Sequence, residues 1–149
     1  GRLHGATGSE AAEILRVIGL ETKAHLKPGG LTQIEMRKLE LARALAARPK
    51  LLISDEAMAG LSSAEVDDIL TILFRLNEQQ ITIIMIEHIM RAVMRFSERI
   101  VVLDAGERIA EGSPDAVVSD LVRAMGIEVV RFLARAGVPV AEPPAAERA

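Results

Sequence analysis

The stretch Leu51-Leu52-Ile53-Ser54-Asp55-Glu56 gives the strongest indication of the fold of this chain. Three consecutive apolar residues are typical of a short buried strand, and two adjacent carboxylates follow where the strand gives way to a loop. The stretch from Ile81 to Ile86 repeats the design and is followed by Glu87 and His88. We expect both stretches to be strands that are buried on two faces.

A helix is predicted between the two strands. Ser62 and Glu65 have the spacing of a capping box, and an apolar stripe with helical period follows at Val66, Ile69, Leu70, Leu73 and Leu76. A crossover helix of this length permits the two strands to pair in parallel. Their polar ends then lie at one edge of the sheet, where ligands of open α/β sheets bind. The predicted fold class is α/β, with parallel strands and crossover helices.

Further elements flank this central unit. A short helix is predicted over residues 11–20, and an amphipathic helix begins after Thr32 and ends near Pro49. After the second strand the pattern predicts a helix, a short β-hairpin and one more helix, over residues 89–96, residues 100–110 and from Ser113 onward. Residues 121–136 have a helical pattern that Gly126 interrupts, and residues 138–149 are expected to form a disordered tail.

The composition argues against several classes of function. With 18 Lys+Arg against 21 Asp+Glu and only 2% aromatic residues, the chain offers neither a basic stripe nor stacking platforms for nucleic acid. Its strongest apolar run, residues 81–86, is far shorter than the roughly 20 residues that cross a bilayer. We therefore expect no direct membrane insertion. The chain begins at Gly1 without a signal-peptide pattern, and we expect it to be a fragment that lacks its N-terminal part.

Asp55 and Glu56 are adjacent carboxylates at a strand end, and two such charges need a cation or strong hydrogen-bond donors, as in a magnesium nucleotide site. In such a site the aspartate would hold Mg²⁺, usually through water, and the glutamate would orient and deprotonate the attacking water. For the dipeptide alone, a pair of solvent-exposed loop acids is the favoured alternative. His88 changes that balance, because the polar ends of two parallel strands converge on one pocket edge. Its imidazole could donate to a phosphate oxygen or to the attacking water.

Four stretches occur in a fixed order along the chain: Leu31 to Leu45, Leu51 to Glu56, Gly60-Leu61-Ser62 and His88. They resemble the signature loop and helix, the Walker B strand, the D-loop and the switch histidine of the ATP-binding subunits of ABC transporters. The fold that this resemblance implies is a partial P-loop NTPase-like fold. The resemblance runs from about residue 11 to residue 119. Within that family, three stretches are most similar to branched-chain amino acid uptake systems: residues 55–61, 86–94 and 108–114.

The resemblance implies a role for each matching residue. Asp55 would hold Mg²⁺, Glu56 would be the catalytic base and His88 would contact the γ-phosphate of ATP. The signature loop and the D-loop would contact ATP that a second ATP-binding subunit holds, in a homodimer or a heterodimer, through Thr32, Gln33, Ile34, Glu35 and Ser62. The implied partners also include transmembrane permease subunits. The chain would lie peripherally on the cytoplasmic face of the inner (plasma) membrane.

The resemblance also implies a function and a division of labour along the chain. ATP hydrolysis would drive the import of branched-chain or related amino acids. Residues 1–50 would be the end of a helical subdomain with the signature loop and helix. Residues 51–119 would be the part of the catalytic core with the Walker B strand, the D-loop and the switch histidine. Residues 120–149 lie beyond the resemblance, and their own pattern predicts a C-terminal helix and the disordered tail.

The sequence departs from the family pattern in the signature loop and in the phosphate loop. Thr32, Ile34 and Glu35 stand where a serine, a glycine and a glutamine are usual, and a β-branched residue at position 34 would be strained by about 1 to 3 kcal/mol if φ had to be positive there. No Gly-x-x-x-x-Gly-Lys-Ser/Thr phosphate loop occurs in the 149 residues. We therefore expect the chain alone neither to bind ATP tightly nor to hydrolyse it.

Two alternatives stay open on the sequence. The chain could be a non-enzymatic dimerisation or regulatory module derived from an ABC ATPase, in which case the retained carboxylates would have no turnover to support. At the local level, the segment from Leu31 to Glu35 could be no more than the start of a helix.

Overall fold

The computed structural model of the chain describes residues 8–125, which fall into two compact units divided between Ile86 and Glu87. Each unit is an assembly of helices with one pair of strands. In the first unit the elements are α1 (Gly8–Val17), two 3₁₀ turns (Glu21–Lys23 and Pro28–Gly30), α2 (Gln33–Leu45), β1 (Leu51–Asp55), α3 (Ser63–Glu78) and β2 (Thr82–Ile86). In the second they are α4 (Met90–Phe96), β3 (Ile100–Asp104), β4 (Glu107–Gly112) and α5 (Pro114–Met125).

β1 and β2 pair in parallel and are joined by α3, as the sequence predicts. Leu51 lies opposite Thr82 and Asp55 lies opposite Ile86, with the intervening residues in register. The carboxyl ends of both strands therefore lie at the same edge of the sheet. The α/β fold class with a parallel sheet is confirmed.

The capping box at the start of α3 is also confirmed. The hydroxyl oxygen of Ser62 accepts from the amide of Glu65 at 3.4 Å, and the Glu65 carboxylate accepts from the amide of Ser62 at 2.8 Å. This reciprocal pair satisfies two amides that a helix start would otherwise leave without a partner. The capping box thus fixes where the crossover helix begins.

The hydrophobic core of the first unit is built on the apolar stripe of α3. Ile69, Leu70 and Leu73 are each 0% exposed. Side chains from other parts of this unit join them in the core: Ile18, Leu20, Leu41, Leu45, Leu52 and Met58. The stripe predicted from the 3.6-residue period is therefore the stripe that is buried.

The expectation that both strands are buried on two faces is wrong for the described part of the chain. In β1 the residues alternate, with Leu52 and Ser54 buried while Leu51 and Ile53 are 48% and 59% exposed. On β2, Ile84 and Ile86 are 47% and 51% exposed and lie in register with the exposed residues of β1. Alternation is what a sheet shows when one face is covered by a core and the other is not.

The second unit contains the predicted hairpin. β3 and β4 pair antiparallel, and both residues of the connecting turn have positive φ, 47° for Ala105 and 85° for Gly106. Such a two-residue turn matches the twist of antiparallel strands. α5 begins as predicted, because the hydroxyl of Ser113 accepts from the amide of Ala116 at 3.4 Å. The predicted interruption at Gly126 and the predicted disordered tail lie outside the described residues.

Candidate functional site

Asp55 and Glu56 lie at the carboxyl end of β1, where the sequence places them. Asp55 is the last residue of the strand, and the amide of Glu56 donates to the carbonyl oxygen of Ile86 at 2.9 Å. This hydrogen bond carries the parallel pairing one residue beyond the strand. Both carboxylates are exposed, so they are presented to solvent at the sheet edge where α/β folds bind ligands.

The backbone of Glu56 has an unusual conformation. Its φ is 46°, in the left-handed region that residues with a Cβ seldom occupy. Such conformations cost energy, persist only where surrounding contacts hold them, and concentrate at functional sites. The sequence does not signal this feature, because glutamate has no preference for the left-handed region.

The segment after Glu56 is a compact loop, and we refer to residues 55–61 as the carboxylate loop. The amide of Ala59 donates to the carbonyl of Glu56 at 3.2 Å, and the amide of Leu61 donates to the carbonyl of Met58 at 3.2 Å. Met58 is 0% exposed and anchors the loop in the core of the first unit. Gly60 has φ of 79°, which a glycine adopts without strain. Two successive turns therefore hold the backbone that carries the carboxylates.

The predicted signature residues form the start of α2. Thr32 is the N-cap residue, its hydroxyl accepts from the amide of Glu35 at 3.4 Å, and the Glu35 carboxylate accepts from the amide of Thr32 at 2.9 Å. Ile34 lies in the first turn of the helix, so the strain expected for a positive φ there does not arise. The Thr32-x-x-Glu35 spacing is itself a capping-box signal, from which this helix start could have been predicted.

Lys23 compensates the negative charge that Glu35 brings to this helix start. Its ammonium group donates to the Glu35 carboxylate in an ion pair. The hydrogen bond from Lys23, followed by the hydrogen bond from the Thr32 amide, lowers the pKa of Glu35 below its ordinary value of 4.5. The side chain of Glu35 is therefore turned back onto the helix start and paired there.

Gln33 joins the start of α2 to the carboxylate loop. Its side-chain amide donates to the carbonyl oxygen of Ala59 at 3.3 Å, across 26 positions of sequence. A Cβ placed on Gly60 would come within 2.6 Å of the same amide nitrogen. Glycine at position 60 thus meets both a backbone and a steric requirement. Sequence reasoning missed this contact, because no periodicity links positions so far apart.

The structure places the other predicted site residues as follows. Ser62 is the N-cap residue of α3, and its hydroxyl donates to the Glu65 carboxylate at 2.7 Å. The hydrogen bonds from the Ser62 hydroxyl and amide lower the pKa of Glu65. His88 is exposed and lies two residues after the end of β2, in the second unit. Its approach to Asp55 and Glu56 stays a prediction.

The donor set of the carboxylate loop fits a magnesium ion held jointly with a nucleotide. Within residues 8–125, no three His, Asp or Glu side chains are placed to hold a metal by themselves. Mg²⁺ is commonly bound through one or two carboxylates together with water and substrate phosphates. One exposed aspartate beside one exposed glutamate satisfies that requirement. In the same range, no helix has the length and the apolar character needed to cross a bilayer.

Known proteins with similar sequences are ATP-binding proteins of transporters. The chain is 37% identical over 108 residues to the high-affinity branched-chain amino acid transport ATP-binding protein BraF of Pseudomonas aeruginosa, covering 72% of this chain and 42% of BraF. It is 38% identical over 113 residues to the methionine import ATP-binding protein MetN of Mesorhizobium japonicum, covering 75% of this chain and 31% of MetN. No protein-family model matches the chain.

Solved structures with a similar fold agree with these relatives. The ADP conformation of MJ1267, an ATP-binding cassette of an ABC transporter, superposes with a TM-score of 0.74 at 28% identity, covering 83% of this chain and 49% of MJ1267. The chain thus spans less than half the length of BraF, MetN and MJ1267. Its sequence and its fold are those of a part of the ATP-binding proteins of ABC transporters.

Proposed function

We propose that this chain provides the water-activating half of an ATP hydrolysis site that powers solute transport. The observation that carries the proposal is the carboxylate pair at the end of β1, with Glu56 held in a left-handed backbone conformation. Asp55 would hold Mg²⁺, and Glu56 would accept the proton of the attacking water. His88, which follows β2, would donate to the γ-phosphate.

A second ATP-binding subunit would complete the site. The amides at the start of α2 and the positive end of its dipole suit a phosphate group, and the Glu35 charge that would oppose one is compensated by Lys23. We assign this trans contact to the segment that contains Thr32, Gln33, Ile34 and Glu35, with Ser62 nearby in the D-loop. The partner could be an identical or a different subunit. Catalysis would then depend on the dimer.

The proposed setting is the cytoplasmic face of the inner membrane, where transmembrane permease subunits would bind the ATP-binding pair. BraF, MetN and MJ1267 are all described as parts of transport systems, which supports this setting. Within this assembly, residues 1–50 would supply the signature loop and helix, and residues 51–119 the carboxylates and the switch histidine.

For the transported solute, we propose amino acids, with branched-chain amino acids as the leading class. The motif resemblance described above and the similarity to BraF support this class. Methionine is the second candidate, because MetN proteins are similar to the chain at comparable identity. Uptake of labelled leucine and labelled methionine by cells with and without the complete transporter would separate the two. Uptake of methionine alone would refute the leading class.

The alternative is that the chain is a non-enzymatic module that keeps the fold for dimerisation or regulation. Ile34, which stands where the signature loop usually has a glycine, favours it. The alternative predicts that ATP hydrolysis by the complete transporter does not depend on the carboxylate pair, whereas our proposal requires that dependence.

The magnesium role of Asp55 supplies the test of the proposed function. In the complete subunit assembled with its partners, Asp55→Asn should raise the Mg²⁺ concentration needed for half-maximal ATP hydrolysis by about 10- to 100-fold, a range typical when a group that supports a metal is removed. Asp104→Asn, at the exposed end of β3, is the matched control. An unchanged magnesium requirement in Asp55→Asn would refute the assignment.

A further inference from the structure

We infer that Gln33 is a positioning residue for the carboxylate loop of its own chain. The contact between its side-chain amide and Ala59 joins the start of α2 to the loop that carries Glu56. The inference rests on the proposed catalytic role of Glu56. It adds a function in cis to a segment that the proposed function uses in trans.

The contact is specific in its geometry. The Gln33 amide nitrogen lies 3.3 Å from the Ala59 carbonyl oxygen and occupies the space that a Cβ of residue 60 would fill. Because Gly60 lacks that atom, the amide can lie directly against the loop backbone. A side chain at position 60 would have to displace Gln33. Gln33 and Gly60 are thus complementary in shape.

Gln33 is held firmly enough to serve as a support. It is the first residue of α2, directly after the Thr32 N-cap, and the reciprocal hydrogen bonds of Thr32 and Glu35 fix that turn. The ion pair of Lys23 with Glu35 ties the same turn to the 3₁₀ turn Glu21–Lys23. The donor therefore comes from an ordered helix start, which positions a group better than a loop does.

A short chain of hydrogen bonds leads from this contact to Glu56. Gln33 donates to the Ala59 carbonyl, the Ala59 amide donates to the Glu56 carbonyl at 3.2 Å, and the Glu56 amide donates to Ile86 at 2.9 Å. Glu56 has a φ of 46° that its neighbours must maintain. Release of Ala59 would loosen one side of that support. The carboxylate would then spend less time in the orientation needed to accept a proton.

Amide exchange of the 149-residue chain, followed by NMR, tests the contact without requiring ATP hydrolysis. Gln33→Met keeps the length of the side chain but removes the donor, and it should speed exchange of the Ala59 and Leu61 amides by about 2- to 10-fold, the range for loss of one hydrogen bond. Exchange of the Val66 amide, which bonds to the Ser62 carbonyl in α3, should not change. Unchanged exchange at Ala59 and Leu61 would overturn the inference.

Two further variants guard against a general effect on the helix start. Gln33→Lys restores a donor of sufficient reach and should return the exchange of both loop amides toward the wild-type rate. Arg43→Met, at an exposed position of the same helix, should leave those amides unchanged. Equal acceleration in all three variants would refute a specific contact.

Turnover by the complete subunit separates the positioning role from a contact with the partner's ATP. A residue that positions Glu56 acts in the transition state, so Gln33→Met should lower kcat by about 2- to 10-fold. The KM for ATP should change little, because the variant keeps the backbone amides that the proposed function assigns to the partner's ATP. A raised KM with unchanged kcat would overturn the positioning role. If the loop amides respond but Glu56 itself proves dispensable for turnover, the proposed function fails while the contact stands.

Discussion

The amide of Glu56 donates to the carbonyl oxygen of Ile86 at 2.9 Å, one step beyond the last paired residues of β1 and β2. The hydrogen bond fixes the first peptide of the carboxylate loop to the end of the neighbouring strand. It does so while Glu56 has a φ of 46°. The proposed catalytic base is thus carried on a backbone that is both tethered and strained, and this combination leads to the first prediction.

Replacement of Glu56 by glycine should give a more stable chain than its replacement by alanine. Both variants remove the carboxylate, but only alanine keeps the Cβ that opposes a left-handed backbone. We expect a difference of about 1 kcal/mol in the free energy of unfolding in favour of Glu56→Gly. Urea unfolding followed by circular dichroism measures this difference. Equal stability of the two variants would show that the backbone at position 56 is not strained.

The core predicts a large contrast between two isoleucines of the first unit. Ile69 is 0% exposed on α3, and Ile69→Ala should lower the free energy of unfolding by about 2 to 5 kcal/mol through lost burial and a cavity. Ile53 is 59% exposed on β1, and Ile53→Ala should change the free energy of unfolding by only about 0.5 kcal/mol. Urea unfolding of the 149-residue chain measures both. Similar losses would mean that the outer face of the sheet is covered.

Glu35 predicts a dependence of stability on pH. Its pKa is lowered in the folded chain, chiefly by Lys23, so its contribution to stability is present above its ordinary value of 4.5 and is lost as the pH falls through the lowered value. Glu35→Gln should therefore lower the urea midpoint of unfolding at neutral pH. The difference between the midpoints at neutral and at acidic pH should be smaller in this variant than in the wild type. Glu21→Gln, which removes an exposed carboxylate two residues before Lys23, is the matched control. A mutant with the same acid sensitivity as the wild type would contradict the role of the ion pair.

Most of the fold follows from patterns that are local in sequence. The 3.6-residue stripe from Val66 to Leu76 and the Ser62-x-x-Glu65 spacing predict α3, and the crossover it forms predicts the parallel pairing that places Asp55 at the sheet edge. Burial of the strands was predicted wrongly. An apolar run such as Leu51 to Ile53 suits a strand in a sheet that is covered on both faces. The run itself does not show whether the chain supplies helices to cover both faces or only one.

The contacts that support the site were not predictable in the same way. The hydrogen bond from Gln33 to Ala59 joins residues 26 positions apart, and the ion pair from Lys23 to Glu35 spans the 3₁₀ turn Pro28–Gly30. Neither pair has a period or a motif, since such contacts arise only when elements pack. Residue chemistry at Asp55 and Glu56 indicates the candidate site, whereas tertiary packing determines how its backbone is held.

The 149-residue chain alone should bind ATP more weakly than the micromolar range. It contains no phosphate loop, so the β- and γ-phosphates lack the cradle of backbone amides and the lysine that would hold them. Isothermal titration with ATP and Mg²⁺ measures the affinity. Micromolar binding would show that the chain has another way to hold the nucleotide.

The central claim is that Glu56 activates the water that attacks ATP. ATP binding and ATP turnover by the complete subunit, compared between wild type and Glu56→Gln, test it most directly. Because glutamine keeps the shape of the side chain but cannot accept the proton, and because Asp55 is intact, turnover should fall by about 100- to 10,000-fold while ATP binding is retained. Turnover at the wild-type rate in Glu56→Gln would contradict the claim.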